Sequence, residues 1–246
     1  MDVYLITDLP ATGAWNMGVD EALREWAAEN EAAVVRFYEW SPATLSLGYF
    51  QSCRAREEHR ESRDLPVVRR ASGGGAIVHD RELTYSLALG VANPSAVDAQ
   101  CLVSAFHRCL VHALSDWEIT ARLCAAQSAV PGSSEPFLCF QRRACGDVLL
   151  AEDKVAGSAQ RRMRGSLLQH GSVLLERSPA ASVLPGICDL AGRTITADEL
   201  QRNWAAHLGR HLEWSFVPWE IDGRLRERAS YWTNQRFASP AWTAKR

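Results

Sequence analysis

Two short segments hold the residues best suited to chemistry. The first is RRASGGGAIVHDRELTYS, residues 69–86. Three consecutive glycines, Gly73, Gly74 and Gly75, lose conformational entropy and bury no side chain, so they belong where backbone turns sharply or lies against a ligand. Their bare N–H groups can face a carbonyl or phosphate oxygen. Arg69 and Arg70 stand just before them and can neutralise an anion; the same residues would also make a tight hairpin turn with two solvated arginines. The second segment is DKVAGSAQRRMRGSLLQHGSVLLE, residues 153–176. Lys154 opens a strand-like run that ends in Gly157-Ser158-Ala159. Beside side chains that small its ammonium can point into a cleft and stabilise charge on a carbonyl or phosphate, or it can be one more solvated cation. His79 and His170 fall within these segments. Each can shuttle a proton or serve as a hydrogen-bonded structural residue.

The seven cysteines are Cys53, Cys101, Cys109, Cys124, Cys139, Cys145 and Cys188. An odd, scattered set without a CxxC pair reads neither as a disulfide framework nor as a structural zinc site. Most are expected to be small buried apolar residues, and one can be a nucleophile. The opening MDVYLITDLP has acids where a signal peptide needs bases. No stretch approaches the ~20 apolar residues of a membrane helix. The expectation is a cytosolic protein with no membrane partner. With 246 residues, 47% hydrophobic and 23% charged, the chain can bury a sizeable core, which excludes disorder and fibrous classes. A net charge of −2 gives no support for a nucleic-acid partner.

Several elements can position these segments. Thr12 can cap a helix over about 15–29, with Val19, Ala22, Leu23, Trp26 and Ala27 at helical spacing. Residues 33–40 read as a strand, and SPATLSLGYF as a turn and a second short strand. Residues 53–64 are charged and read as surface helix or loop. Pro66–Arg69 and Ala76–His79 read as short strands around the glycine turn, and Glu82–Leu89 alternates as a strand should. Leu102, Val103, Phe106, Leu110 and Leu114 mark a second long helix. Residues 125–146 read as an unusually long loop, the kind that often carries function. Val148–Leu150, Lys154–Ala159 and Leu167–Leu175 read as three more strands. Two amphipathic helices close the chain, one marked by Leu200, Trp204, Leu208 and Leu212, the other by Ile221, Leu225 and Trp232. The reading is one α+β domain over 1–246, its central sheet mixed and largely antiparallel, flanked by helices and without a separate accessory domain.

Five segments, in order, resemble the biotin/lipoate protein ligase superfamily, and more narrowly its lipoate–protein ligase and octanoyltransferase branch. TGAWNMGVDEAL (12–23) resembles the branch's opening helix. WSPATLSLGYFQ (40–51) resembles its strand-turn-strand with W-x-P and S-x-G-x-x-Q. RRASGGGAIVHD resembles its arginine-pair and glycine signature, and KVAGSAQRR and LLQHGSVLL its lysine strand and the strand after it. The resemblance implies acyl transfer onto a protein lysine. The acceptor would be the lipoyl carrier domain of a 2-oxoacid dehydrogenase or the glycine-cleavage H protein. Lys154 matches the active-site lysine. The substrate-binding positions implied are Arg70, Ser72, Gly73, Gly74, Gly75, His79, Gly157, Ser158, Ala159 and His170.

The branch contains ATP-dependent ligases and transferases that take an acyl group already held as a thioester or amide, some through a cysteine. HDRELTYS (79–86) resembles the cysteine-dependent octanoyltransferases, and so does Cys139-Phe140, placed 154 − 139 = 15 positions before Lys154. A thiolate exchanges with a thioester without ATP, and a nearby cation favours the thiolate. On that reading the donor is octanoyl-acyl carrier protein and no cofactor is required. Other details resemble the ligases, which use ATP and Mg: the SGGG run, and Asp147 in the position of their Asn-Asp-Leu. QRRACGDVLL also departs from the transferases' small, Pro- and aromatic-containing stretch, and Cys145 is a rival nucleophile. An amidotransferase between two carrier proteins would use the same cysteine. Trp15 and Trp40 are expected in the core rather than in an acyl pocket, and Arg161, Arg162 and Arg164 on a solvated hairpin face that could meet an acidic carrier.

Overall fold

The computed structural model describes residues 1–125 and 136–246. The first half runs β1 (Asp2–Thr7), α1 (Gly13–Asn30), β2 (Ala33–Tyr38), β3 (Thr44–Leu47), β4 (Val67–Arg69), β5 (Ile77–His79), β6 (Glu82–Gly90) and α2 (Ala99–Ser115). The second runs β7 (Ala121–Leu123), β8 (Val148–Leu150), β9 (Asp153–Met163), β10 (Ser166–Leu174), α3 (Ile187–Ala191), α4 (Ala197–Leu212), β11 (Ser215–Pro218), α5 (Gly223–Trp232) and α6 (Pro240–Thr243). Thr12 caps α1, its hydroxyl accepting from Trp15 N at 3.4 Å. The charged 53–64 stretch forms two short 3₁₀ turns. Of the expected long loop, 126–135 lies outside the described residues, and Cys139–Gln141 is a 3₁₀ turn.

Eight strands form one sheet in the order β11-β1-β2-β6-β10-β9-β8-β7. The β11-β1-β2 edge is parallel and every later pairing antiparallel, so the sheet is mixed and largely antiparallel. A second sheet, β4-β3-β5, carries the glycine segment between two of its strands. On one face of the large sheet, Phe106 and Leu110 of α2 and Leu200, Trp204 and Leu208 of α4 pack on Val35, Phe37, Tyr85 and Leu87. On the other, Val19, Ala22 and Leu23 of α1 and Leu225 of α5 pack on Val34 and Ala88. The alternation Leu83-Tyr85-Leu87 against Thr84-Ser86 sorts β6 between these faces. Its polar residues point to the α1 side, where the small sheet leaves a cavity.

Candidate functional site

Between the small sheet, the glycine loop and strands β9 and β10 lies a cavity of about 530 Å³ of atom-free space, open at its mouth. Cys139, Lys154, Arg70, Gly73, Gly74, His79, Gly157, Ser158, Ala159 and His170 line it, as do Met17, Tyr38 and Trp40. Of the residues expected from the sequence, only Ser72 and Gly75 stand outside the lining.

Lys154 is buried, 7% exposed, and its Nζ lies 2.8 Å from Oδ2 of Asp147, itself 4% exposed. Its tail crosses the backbone of Gly157, where a Cβ would come within 2.5 Å of Lys154 Cε and 2.8 Å of Nζ. Gly157 is therefore the groove in which the lysine lies. The ammonium also sits 5.2 Å from the Phe140 ring centroid. Lys154 is thus a paired, held cation rather than a solvated one.

The cysteine turn is bound to the glycine loop by backbone. Ala76 N donates to Phe137 O at 2.9 Å and Cys139 N to Ala76 O at 2.8 Å. A Cβ at Gly75 would lie 3.0 Å from Phe137 O and 3.2 Å from Cys139 N, so Gly75 serves this close approach, not the lining. Gly74 has φ +94°, and a Cβ there would lie 3.6 Å from Cys139 Sγ and 2.8 Å from Arg70 Nη2. Cys145 is exposed and outside the lining.

Both arginines correct the sequence reading. Arg70 is buried and donates to Gly73 O at 2.7 Å, Gly75 O at 2.7 Å and Ser46 O at 3.2 Å. It is a clamp on the glycine loop with few donors left for a substrate anion. Burial pushes its guanidinium down to about 10, while Cys139 works in the opposite direction. Arg69 is spent likewise, on Gly48 O at 2.8 Å, Gln51 O at 2.7 Å and Thr243 O at 2.7 Å.

His79 is fully engaged, with Nδ1 2.8 Å from Glu82 Oε1 and Nε2 2.8 Å from Ser46 Oγ. Burial holds its imidazole below the usual pKa against the pull of Glu82. Trp40 stacks on it, ring centroids 3.8 Å apart, and donates Nε1 to Thr84 Oγ1 at 2.8 Å. Trp40 therefore belongs to a core cluster with Met17, Tyr38 and Phe237, as expected, and also lines the cavity, whereas Trp15 packs beside the α1–α5 core. His170 Nε2 contacts Ser72 Oγ, and its Nδ1 lies 3.6 Å from Asp20 Oδ2. Ser158 lines the cavity, but its hydroxyl is engaged. Its hydroxyl is 2.6 Å from both Tyr85 Oη and His107 Nε2, a pairing on the α2 side of the sheet.

Of the basic hairpin run, Arg162 and Arg164 are exposed as expected, Arg162 donating to Val97 O at 2.6 Å, while Arg161 is half-buried and donates to Ala71 O at 2.8 Å; the cysteines differ from expectation. Only Cys109 and Cys124 are buried thiols, and burial pushes Cys109 up to about 11. Asp20, His107 and Tyr85 carry no spacing signal in the sequence. Asp147 does, but not as the partner of Lys154. Among the described residues no group of three His, Cys, Asp or Glu side chains is placed to hold a metal ion, and no helix is long and apolar enough to cross a membrane.

Residues 12–205 match the family described as the lipoyl protein ligase A/B catalytic domain. An octanoyltransferase LipM of Brevibacillus brevis is 38% identical over 187 residues, covering 70% of this chain and 65% of that protein. The octanoyltransferase LipM of Bacillus subtilis is 29% identical over 96% of this chain and 95% of that protein. Among solved structures, the bi-partite lipoate protein ligase of Thermoplasma acidophilum, determined with its E2 lipoyl domain, superposes with a TM-score of 0.79. It is 17% identical and covers 99% of this chain and 96% of that one.

Proposed function

The chain belongs to the lipoyl protein ligase A/B catalytic domain family, and on that premise we propose that it is an octanoyltransferase working through Cys139. The donor is octanoyl-acyl carrier protein, and the acceptor a lysine of a lipoyl carrier domain or of the glycine-cleavage H protein. One observation carries the reading. A half-buried thiol and a held ammonium line one cavity, between a glycine loop and an apolar end made by Met17, Tyr38 and Trp40.

The Cys139 thiolate attacks the donor carbonyl carbon, and the phosphopantetheine thiolate leaves and is protonated. The oxygen turns negative in the tetrahedral intermediate, and the Lys154 ammonium and the glycine-loop backbone stabilise it. Asp147 keeps that ammonium in place instead of consuming it. The acceptor amine then attacks the enzyme thioester, the C–S bond breaks and the amide forms. Both donors are thioesters, so the first exchange is close to isoenergetic and the reading needs no ATP. At ~0.8 kcal/mol per CH₂, burying six or seven methylenes in the apolar end is worth roughly 5 kcal/mol.

Intact mass spectrometry tests this. With octanoyl-acyl carrier protein and no acceptor, the wild type gains one octanoyl group that hydroxylamine removes. Cys139→Ser gains none, and Cys145→Ser still does. A label that survives in Cys139→Ser and disappears in Cys145→Ser moves the nucleophile to Cys145. No label without ATP, together with lipoylation of the carrier by free lipoate plus ATP and Mg, replaces the transferase reading with the ligase one.

A further inference from the structure

The glycine loop beside Cys139 also walls a second space. Gly74, where a Cβ would lie 3.6 Å from Cys139 Sγ, lines both the cavity and an open groove on the surface. Phe50, Gln51, Ala55, Phe137 and Arg142 line that groove. Phe50 is 72% exposed and rests on the loop, its Cδ2 3.9 Å from the point where a Cβ of Gly73 would stand. Gln51 Nε2 donates to Phe137 O at 3.2 Å and ties the 50–58 segment to the cysteine turn.

One wall of the groove is the 3₁₀ turn Cys53–Glu58. Its period of about three residues sets Ala55 and Glu58 on one side, lining the groove, and turns Arg54, Arg56 and Glu57 to the others. There Arg54, Arg56, Arg63 and Arg246 line an adjoining cleft, with Glu57 as its one acidic side chain. The other acids of the segment, Glu58, Glu61 and Asp64, lie outside the cleft, and Glu61 faces His59 and Ser182. Among the described residues no ion pair joins any of the four arginines to a carboxylate, unlike Arg122, Arg143 and Arg202 elsewhere on the surface. The guanidinium of Arg246 stands 5.5 Å from the Phe50 ring centroid, so the cleft and the groove meet at that pair.

We propose that the groove and the arginine cleft are the docking surface of the acyl donor, a carrier protein with an acidic face and its thioester at the tip of a long, phosphodiester-linked arm. This rests on the acyl-transfer reading above. The arm lies in the groove across Phe50 and brings the thioester past Gly74 to Cys139. The cleft meets the anionic root of the arm and the carboxylates around it. The length of the arm decides between the two carriers. A thioester on a long arm reaches the thiol while its protein stands off at the cleft. An acceptor lysine has only its own side chain and must seat its domain at the mouth of the cavity. The cleft shares no lining residue with the cavity, which suits the donor. Exposed cations of this kind steer the encounter and set its salt dependence more than they tighten the complex.

The test compares Arg54→Glu/Arg63→Glu with wild type in the acylation half-reaction. Both side chains are exposed and make no hydrogen bond among the described residues, so the fold should be kept. Each reversal removes an attraction and adds a repulsion, so the half-saturating concentration of octanoyl-acyl carrier protein should rise about tenfold at low salt. The difference should close by about 0.5 M salt, where exposed charges are screened. Octanoyl-pantetheine, which has neither phosphate nor carrier, should acylate both proteins alike. Transfer from the preformed acyl-enzyme to a lipoyl domain should also be unchanged. Arg224→Glu/Arg226→Glu on α5 makes the same change in net charge outside both spaces and should leave use of the donor unaltered. The proposal is overturned by unaltered use of octanoyl-acyl carrier protein, by an equal loss with octanoyl-pantetheine or in the α5 variant, or by a loss confined to the transfer step, which assigns the surface to the acceptor. Failure of the wild type to acylate concerns the transferase reading instead. Binding of octanoyl-acyl carrier protein, followed by fluorescence anisotropy at low salt, then decides. Affinity about tenfold weaker for Arg54→Glu/Arg63→Glu supports the surface, and equal affinity, or no binding to the wild type, overturns it.

Discussion

Gly157→Ala puts one methyl group where the tail of Lys154 lies. The new Cβ would stand 2.5 Å from Cε, 2.8 Å from Nζ and 3.2 Å from Asp147 Oδ1. Carbon atoms pack at about 3.5–4 Å, so Cε must retreat by about 1 Å. The clash falls on the far end of a flexible side chain, so the fold gives way there first. The expected stability loss is the usual overpacking penalty of about 1–3 kcal/mol. The functional loss is larger in proportion, because in the proposed mechanism the ammonium leaves the position from which it meets the developing oxyanion. A misplacement of about 1 Å costs roughly 10²-fold, equivalent to about 2.7 kcal/mol in the barrier. The assay is single-turnover octanoyl transfer on protein whose cooperative urea transition has been verified. The control is the same methyl group added to Lys154→Ala/Asp147→Asn, where no lysine remains to be displaced; there it should add no further loss. Transfer by Gly157→Ala within about tenfold of wild type refutes this account of the groove, as does an equal extra loss in the lysine-free background.

Three other outcomes follow from the same geometry. Lys154→Met leaves the buried Asp147 carboxylate, among the described residues, with Ala144 N–H as its hydrogen-bond donor, so it should cost about 3–5 kcal/mol in urea unfolding, and adding Asp147→Asn should recover most of that. Burial lowers the folded-state pKa of both His79 and His107, and below an unfolded value of about 6.5 the unfolded chain binds more protons. Stability is therefore full above about pH 6.5 and falls as pH drops below it; the urea midpoint should decline from pH 7 to 5, less steeply in His79→Gln, and a flat profile would contradict this. Met17 is 3% exposed at the apolar end of the cavity, so Met17→Ala should cost about 2–5 kcal/mol and shift preference toward longer acyl chains in a competition between octanoyl and dodecanoyl donors.

The parts of the fold legible in sequence are those with strong local periodicity. The helices around Leu23, Leu110 and Leu208 fall within the observed α1, α2 and α4. The alternating β6 and the three strands after Asp147 lie where their patterns put them. β1, β7 and β11 are short or weakly patterned edge-side strands, defined by pairing with chain far away, as Asp2 with Ser215. The cavity lining was legible as a set of positions because the glycines, and a lysine ahead of Gly157-Ser158-Ala159, leave local signatures. Their pairings were not, since these depend on sheet register and on which face each strand turns inward. Arg70 illustrates the limit. Its type and place suggest an anion site, yet its donors close on carbonyls three and five residues ahead. Trp40 illustrates the converse, an apolar residue buried in a core cluster as expected and yet lining the cavity with one face.

Strand β10 divides the work of the site between the two faces of the sheet. His170 and Ser172 point to the cavity, while Gly171 opens the opposite face. A Cβ at Gly171 would lie 2.5 Å from Ser158 Oγ and 2.6 Å from Tyr85 Cε1, so its absence lets the side chains of β6 and β9 meet across β10. Gln169 Nε2 donates to Tyr85 Oη at 2.7 Å, and Ser158 Oγ lies 2.6 Å from both Tyr85 Oη and His107 Nε2. His107 Nδ1 sits 2.5 Å from Gly146 O, a carbonyl that only accepts, so Nδ1 carries the proton. Neutral Nε2 then accepts from Ser158, and Ser158 in turn accepts from Tyr85. Every donor direction in this chain is set, and it ends on the residue before Asp147. The core-packed face of the sheet thereby braces the turn that carries the Asp147 carboxylate, which holds Lys154 at the cavity. A buried ion pair is costly to desolvate; here it holds a cation at one point without leaving its placement to a mobile side chain.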